Sequence, residues 1–255
     1  MIRLVAMTMR TAFAVIPASI LFVSAALADE VAVEASDAAV QRYVPAGFAK
    51  GLEAVAAEIE FPKYKKDLSL NINCAANVSA TGDVESYFCL DYIGGTDTKF
   101  RKAAEKFIAS TSISPAVVDG QAVPVRFYFR VFFGRRGELY AVGVYPNWSD
   151  DAEKFGHEYQ APQRYNTDPS GPNCRAVGGM TKISVDVDGK ATGEHSLVMS
   201  YGVPGKYGTC ENWFVQMLKH GSYIPAHHEG KPVVATYVEM GGDPEWFTLK
   251  EPEGL

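Results

Sequence analysis

Two stretches of this chain repeat one another at a fixed spacing, and that repetition narrows the available folds more than any other feature. Phe100, Ala103, Ala104, Phe107 and Ile108, then Pro115-Ala116 and Gly120, match Cys210, Trp213, Phe214, Met217 and Leu218, then Pro225-Ala226 and Gly230. Every pair stands 110 residues apart. Upstream, Val78-Ser-Ala-Thr-Gly82 matches Val185-Asp-Val-Asp-Gly189 at a spacing of 107, so the second copy carries three extra residues between this turn and the helix.

Each copy reads as strand, turn, strand, helix, strand. The five apolar positions fall at i, i+3, i+4, i+7 and i+8, which is one face of a helix. Thr96 or Asp97 in the first copy, and Thr209 in the second, are the expected N-caps, because their side-chain oxygens accept amide protons left unpaired in the first turn. Pro115 and Pro225 stop each helix from continuing. Val118-Asp-Gly120 and His228-Glu-Gly230 then read as turns. In the last strand of copy one, Val125, Phe127, Phe129, Val131 and Phe133 share one face and Arg126, Tyr128 and Arg130 the other. That is the pattern of a half-exposed strand. Copy two ends in the weaker Val233–Val238.

A helix stripe of this kind must cover the apolar face of a sheet. The expected class is therefore α+β: two tandem β-β-α-β units, antiparallel sheets with helices on one face, plus an N-terminal lead-in helix. The boundaries run 29–60 for an acidic tail and that helix, 61–134 for the first unit, and 135–172 for a strand and a long aromatic loop. The second unit follows over 173–241, with a C-terminal tail over 242–255. Each unit is about 70 residues long, a size at which a core alone is marginal, so disulfides and contact between the units are expected to contribute.

The start of the chain gives an address. Arg3 and Arg10 precede an uncharged apolar stretch that ends in Ala26-Leu27-Ala28, followed by Asp29 and Glu30. Charged start, apolar middle and small-residue exit are the parts of a secretory leader, here residues 1–28 with cleavage after Ala28. The rival, a retained anchor, is at the lower limit of length for spanning and is interrupted by Pro17, Ser19 and Ser24. Four cysteines, an even number, suit an exported product with two disulfides and three possible connectivities. The pairing expected is Cys74–Cys89 and Cys174–Cys210. With Thr81-Gly82 at the centre of a hairpin turn, Cys74 and Cys89 fall opposite one another; a three-residue loop with a bulge would shift that register by one. The formal charge of -6 and the lack of a long basic run argue against nucleic acid as a partner.

Copy two, from Val185-Asp-Val-Asp-Gly-Lys190 through Met199-Ser-Tyr-Gly-Val-Pro204 to Tyr223-Ile-Pro-Ala-His-His-Glu-Gly-Lys-Pro-Val233, resembles the TonB C-terminal domain. Copy one keeps Pro115-Ala116, Gly120 and Val123 but has Asp91-Tyr-Ile-Gly-Gly95 in place of the S-x-G-x-P stretch. The resemblance implies a periplasmic, non-catalytic domain that binds a short extended segment of an envelope or outer-membrane protein by adding it to a sheet edge. It places that edge at Val233, Val234, Ala235, Thr236, Tyr237 and Val238, and it implies no cofactor. Energy transducers of the family need an inner-membrane anchor and a Pro-rich spacer; with neither expected here, a soluble adaptor or receptor-binding module is the expectation.

Other chemistry has less support. His227-His228-Glu229, with His220 nearby, invites a metal, but neighbouring residues of an extended segment point to opposite sides. Asp186, Asp188 and Gly189 match only part of a calcium loop and read better as a hairpin turn. Asp150, Asp151, Glu153, His157 and Glu158 could host acid–base work, and Tyr140, Tyr145, Trp148, Phe155, Tyr159 and Tyr165 could line a groove or simply pin the loop. The alternative function is thus a small periplasmic enzyme or ligand-binding protein with its site at the 146–172 loop.

Overall fold

The computed structural model describes residues 42–91, 98–165, 177–202 and 207–241. The leader, the tail up to residue 41, Thr96, Asp97, the 166–172 part of the aromatic loop, the Cys174–Cys210 pairing, the side chain of Thr209 and the stretch from 242 onward lie outside the described residues.

Short pieces come first: β1 (Tyr43–Val44), β2 (Gly47–Phe48) and helix α1 (Leu52–Ala57). The spacing of Phe48, Leu52, Val55 and Ile59 predicts one helix over Pro45–Glu60, but the helix has only six residues. Gly51 takes φ of 80°, which turns the backbone just before Leu52. Phe48 therefore reaches the core from a strand.

The long hairpin of β3 (Leu68–Val78) and β4 (Val84–Asp91) leads to helix α2 (Thr98–Ile108). Next come β5 (Ile113–Ser114), the small hairpin β6 (Ala116–Val118) and β7 (Gln121–Val123), and the long strand β8 (Val125–Arg136). Strand β9 (Leu139–Tyr145), a short helix α3 (Ala152–Phe155) and β10 (Gln163–Tyr165) follow. The series then recurs as β11 (Val177–Val185), β12 (Ala191–Gly202), α4 (Tyr207–Lys219), β13 (Ser222–Ile224), hairpin β14 (Ala226–His228) with β15 (Lys231–Val233), and β16 (Ala235–Gly241). Between helix and last strand each half thus carries a small hairpin rather than a bare turn.

The main sheet runs β13-β10-β8-β3-β4, with β9 also on β8; a second runs β12-β11-β16. Among the described residues every strand pairing in both sheets is antiparallel. The class is α+β. Two turns show the same construction in both halves. Ser79 N donates to Asp83 O and Gly82 N to Ser79 O; Asp186 N donates to Lys190 O and Gly189 N to Asp186 O. The side-chain oxygens of Ser79 and Asp186 each accept two amides of their own turn. The Asp186 carboxylate is thus engaged within its own turn.

Cys74 stands opposite Cys89, and the two are joined by a disulfide. The expected register holds from there to Asn77 opposite Ser86, then shifts by one as Val78 meets Val84, a bulge beside the turn. Replacing both cysteines, Cys74→Ala with Cys89→Ala, is expected to lower stability by about 3 kcal/mol. Denaturant midpoints of the two proteins check it.

Phe100, Ala104, Phe107 and Ile108 of α2 are buried against Cys74, Phe127, Phe129 and Phe133. Phe48 joins them, its ring 5.6 Å from Phe107, 5.2 Å from Phe127 and 5.5 Å from Phe129. Each such side chain contributes about 1.5–3 kcal/mol of burial. In the second half, Phe214 and Leu218 of α4 are buried while Trp213 and Met217 are half-buried.

The opposite face of β8 departs from expectation. Arg126, Tyr128 and Arg130 alternate as a solvent-facing strand would, yet Tyr128 and Arg130 are buried and Arg126 nearly so. The second half of the chain supplies the cover: Ala75, Leu90, Tyr128 and Trp148 pack in one cluster with Met180, Ile183, Tyr237 and Met240. One strand of alternating sequence cannot announce that its polar face will be covered from a distant segment.

Candidate functional site

The polar groups on that covered face converge on Glu239. Its Oε1 accepts from Tyr128 Oη at 2.8 Å. Its Oε2 accepts from Tyr237 Oη at 2.6 Å and from Arg164 Nε at 3.0 Å. The guanidinium of Arg126 lies 3.8 Å from Oε1. Burial pushes the Glu239 carboxyl upward, but Arg164, Arg126 and the two hydroxyls outweigh it and hold the group below the ordinary carboxylate value. Burial and the nearby carboxylate push both tyrosines upward, so they stay as donors. Sequence reading missed this cluster. The available signal was Glu239 itself, an acid on the apolar side of Ala235, Tyr237 and Glu239, where the matching positions of β8 carry Val125, Phe127 and Phe129.

The edge expected at Val233–Val238 is split between two strands. Val233 ends β15, paired with Ala226; Val234 is exposed; Ala235–Val238 begin β16. Among the described residues β16 pairs only with β11. Two amides on its other side already have acceptors: Thr236 N donates to Asp151 Oδ2 at 2.6 Å, and Met240 N to Tyr128 Oη at 3.4 Å. Ala235, Tyr237 and Val238 are buried. Side chains thus engage part of this edge.

A different edge is open. β9 is added to β8 through register pairs from Arg136 with Leu139 to Arg130 with Tyr145, and among the described residues it pairs with no other strand. The two-residue turn makes Arg136 and Leu139 a hydrogen-bonded pair, so the amides of Tyr140, Val142 and Val144 face away from β8. Beside them runs a groove of about 760 Å³, walled by Tyr140–Tyr145 on one side and by Leu52, Ala56, Phe61 and Lys63 on the other. The Phe61 and Tyr140 rings meet at 5.1 Å. Tyr140 is 66% exposed at the mouth.

The loop acids do not converge. Asp150 pairs with Lys182, Asp151 caps β16, and Glu158 lines the groove. His157 Nδ1 is 3.2 Å from an Arg130 guanidinium nitrogen that in turn lies over the Tyr145 ring. Trp148 and Tyr159 are buried, Trp148 donating to Cys74 O at 2.8 Å. Asn147, also buried, donates to His157 O and Tyr159 O. These groups pin the loop to the sheet.

The adjacent histidines separate as well. His227 is buried, its Nδ1 3.0 Å from Pro225 O, and its backbone pairs with Gln160. His228 lies against Phe155, 5.6 Å between rings. Burial lowers the His227 imidazole from its ordinary 6.5, and the bond to Pro225 only partly opposes this. Protons then bind more readily to the unfolded chain, so stability is full above pH 6.5 and falls as pH drops from there through the lowered folded value. His227→Gln is expected to flatten that limb, as read from denaturant midpoints between neutral and mildly acid pH.

Among the described residues no helix is long and apolar enough to cross a membrane. No family model matches the chain, and no curated protein or solved structure is significantly similar to it.

Proposed function

We propose that this chain is an exported, non-catalytic interaction module that takes an extended segment of an envelope or outer-membrane protein as an added strand. The observation that carries the reading is the open edge of β9 beside its groove. β8 has already been extended there by the chain's own β9, so the sheet tolerates growth in that direction, and an incoming strand would find three outward amides beside a wall of Leu52, Ala56 and Phe61 edged by Glu53, Glu60, Lys63 and Glu158. The edge at Val233–Val238 would first have to lose the Asp151 cap, so Tyr140–Val144 is the better site.

The two halves are read as tandem copies of one β-β-α-β unit of the TonB C-terminal kind. Support comes from the matching turns at Ser79 and Asp186 and from the left-handed pairs Asp119-Gly120 and Glu229-Gly230, again 110 apart. Export to the periplasm rests on the leader and agrees with the Cys74–Cys89 disulfide. The enzyme alternative needs loop groups that the fold keeps apart.

The test is hydrogen exchange on the exported protein with partners captured from envelope extract. Binding is expected to protect the Tyr140, Val142 and Val144 amides, and Tyr140→Pro, which removes one outward donor but no bond to β8, is expected to abolish capture. Capture that leaves those amides unprotected, or that survives the proline, refutes the site. Mature protein beginning anywhere other than Asp29 refutes the leader assignment.

A further inference from the structure

Lysines gather at one end of this acidic chain. Lys63, Lys65 and Lys66 follow one another on an exposed strip, and Lys102 and Lys106 project from α2. The strip is held against that helix, the Tyr64 ring lying 5.6 Å from Phe100. A second groove, of about 320 Å³, joins Pro62 to Lys102 and Lys106. The β8–β9 hairpin tip belongs to the same end, since Gly137 N donates to Asp67 Oδ1 at 2.8 Å and Phe61 meets Tyr140. It adds exposed Arg136 and Leu139, the latter 80% exposed.

Six cations are thus set against the carboxylates of Glu60 and Asp67, while Glu58, on the small groove, pairs with Lys50, Glu138 with Arg135 and Glu105 with Arg101, and Glu53 and Glu158 lie along the larger groove. The chain as a whole is at -6, so this local excess of cations stands against an acidic background. These cations come from three pieces of chain, only Lys102 and Lys106 sharing a groove, and a bare leucine stands among them.

The geometry points to this end as a docking face for an anionic bilayer surface, with Leu139 entering the headgroup layer. Lysine stems reach while their ammonium groups remain hydrated, and an apolar side chain at the tip adds a second, salt-resistant contact. A strongly acidic polypeptide would satisfy the charges but would leave Leu139 without a role. The inference is independent of strand addition, because Lys65, Lys66 and Leu139 leave the amides of Tyr140, Val142 and Val144 untouched.

Co-sedimentation of the exported protein, free of its leader, with phosphatidylcholine vesicles with and without phosphatidylglycerol tests it. Binding is expected only with phosphatidylglycerol and is expected to weaken with salt. Each cation contributes about fivefold, so Lys65→Glu with Lys66→Glu should reduce binding at least about 25-fold. Leu139→Ser should weaken the binding that persists at high salt without lowering the melting temperature. No binding to phosphatidylglycerol vesicles at low salt, or equal binding by the charge-reversed protein, overturns the proposal. Retention on polyglutamate without retention on vesicles does so too, and assigns the face to an acidic protein instead.

Discussion

Glu239→Gln is expected to destabilise the fold by about 3–5 kcal/mol, because it removes one member of a buried ion cluster and leaves its partners uncompensated. Gln keeps the shape, but its one carbonyl oxygen replaces only one of the two carboxylate oxygens that accept from Tyr128 and from Tyr237 with Arg164, so an acceptor is lost along with the charge. Arg164, itself buried, and Arg126, largely so, would then face each other across a neutral amide. For a chain of this size the melting temperature should fall by about 10 °C or more. Acid titration separates this effect from a simple packing loss. The Glu239 carboxyl is held below its ordinary 4.5, so the wild-type cluster stabilises fully above that value and loses its contribution as pH falls through the lower folded one. The Gln variant should lack that acid limb. Restoring stability with apolar replacements at Arg126, Arg164 and Glu239 together would show that the cluster's role is specificity rather than strength.

Gly82→Ala and Gly189→Ala form the second large effect. Gly82 has φ of 89° and Gly189 of 74°, values that side chains disfavour. Space is equally short: an added Cβ would lie 2.2 Å from Ile113 O at the first position and 2.1 Å from Tyr223 O at the second. Both obstacles are backbone, at the start of the segment that follows each helix, so neither can swing aside. Backbone strain and forced displacement together should cost about 2–4 kcal/mol at each site. Ala at Gly120, where φ is 79° but nothing lies within 4 Å, serves as the control and should cost less. Unfolding curves of the three proteins decide it. Equal losses at Gly82 and Gly189 would strengthen the reading of the halves as copies of one unit; a large loss at one alone would weaken it.

What could be read from the chain was whatever local periodicity controls. The stripe of Phe100, Ala104, Phe107 and Ile108 had to face a core, and the alternation from Val125 to Phe133 had to put phenylalanines on one side of a strand. The hairpin at Gly82 set Cys74 opposite Cys89 because strand register propagates from a turn. The lead-in helix was overextended because Phe48 falls at helical spacing while Gly51 bends the backbone beneath it. Nothing local marks the fate of Arg126 and Tyr128: Tyr237 and Glu239, which meet them, are far along the chain. The edge was harder still. Whether an outward amide of β16 is free depends on where Asp151 lands, and that depends on how Asn147 and Trp148 anchor a loop with no period of its own.

The three residues of β10 bear on how such a chain could have grown. They sit between β8 and β13, so a connector has become the seam along which the last strand of one half is sewn to the strand that follows the helix of the other. A doubling that began as two self-sufficient pieces would have lost that independence once the linking segment took up a place in the fabric. Cleaving the chain before Gln163 or after Tyr165 should therefore give fragments that each carry a raw margin, and neither half is to be recovered intact by scission alone.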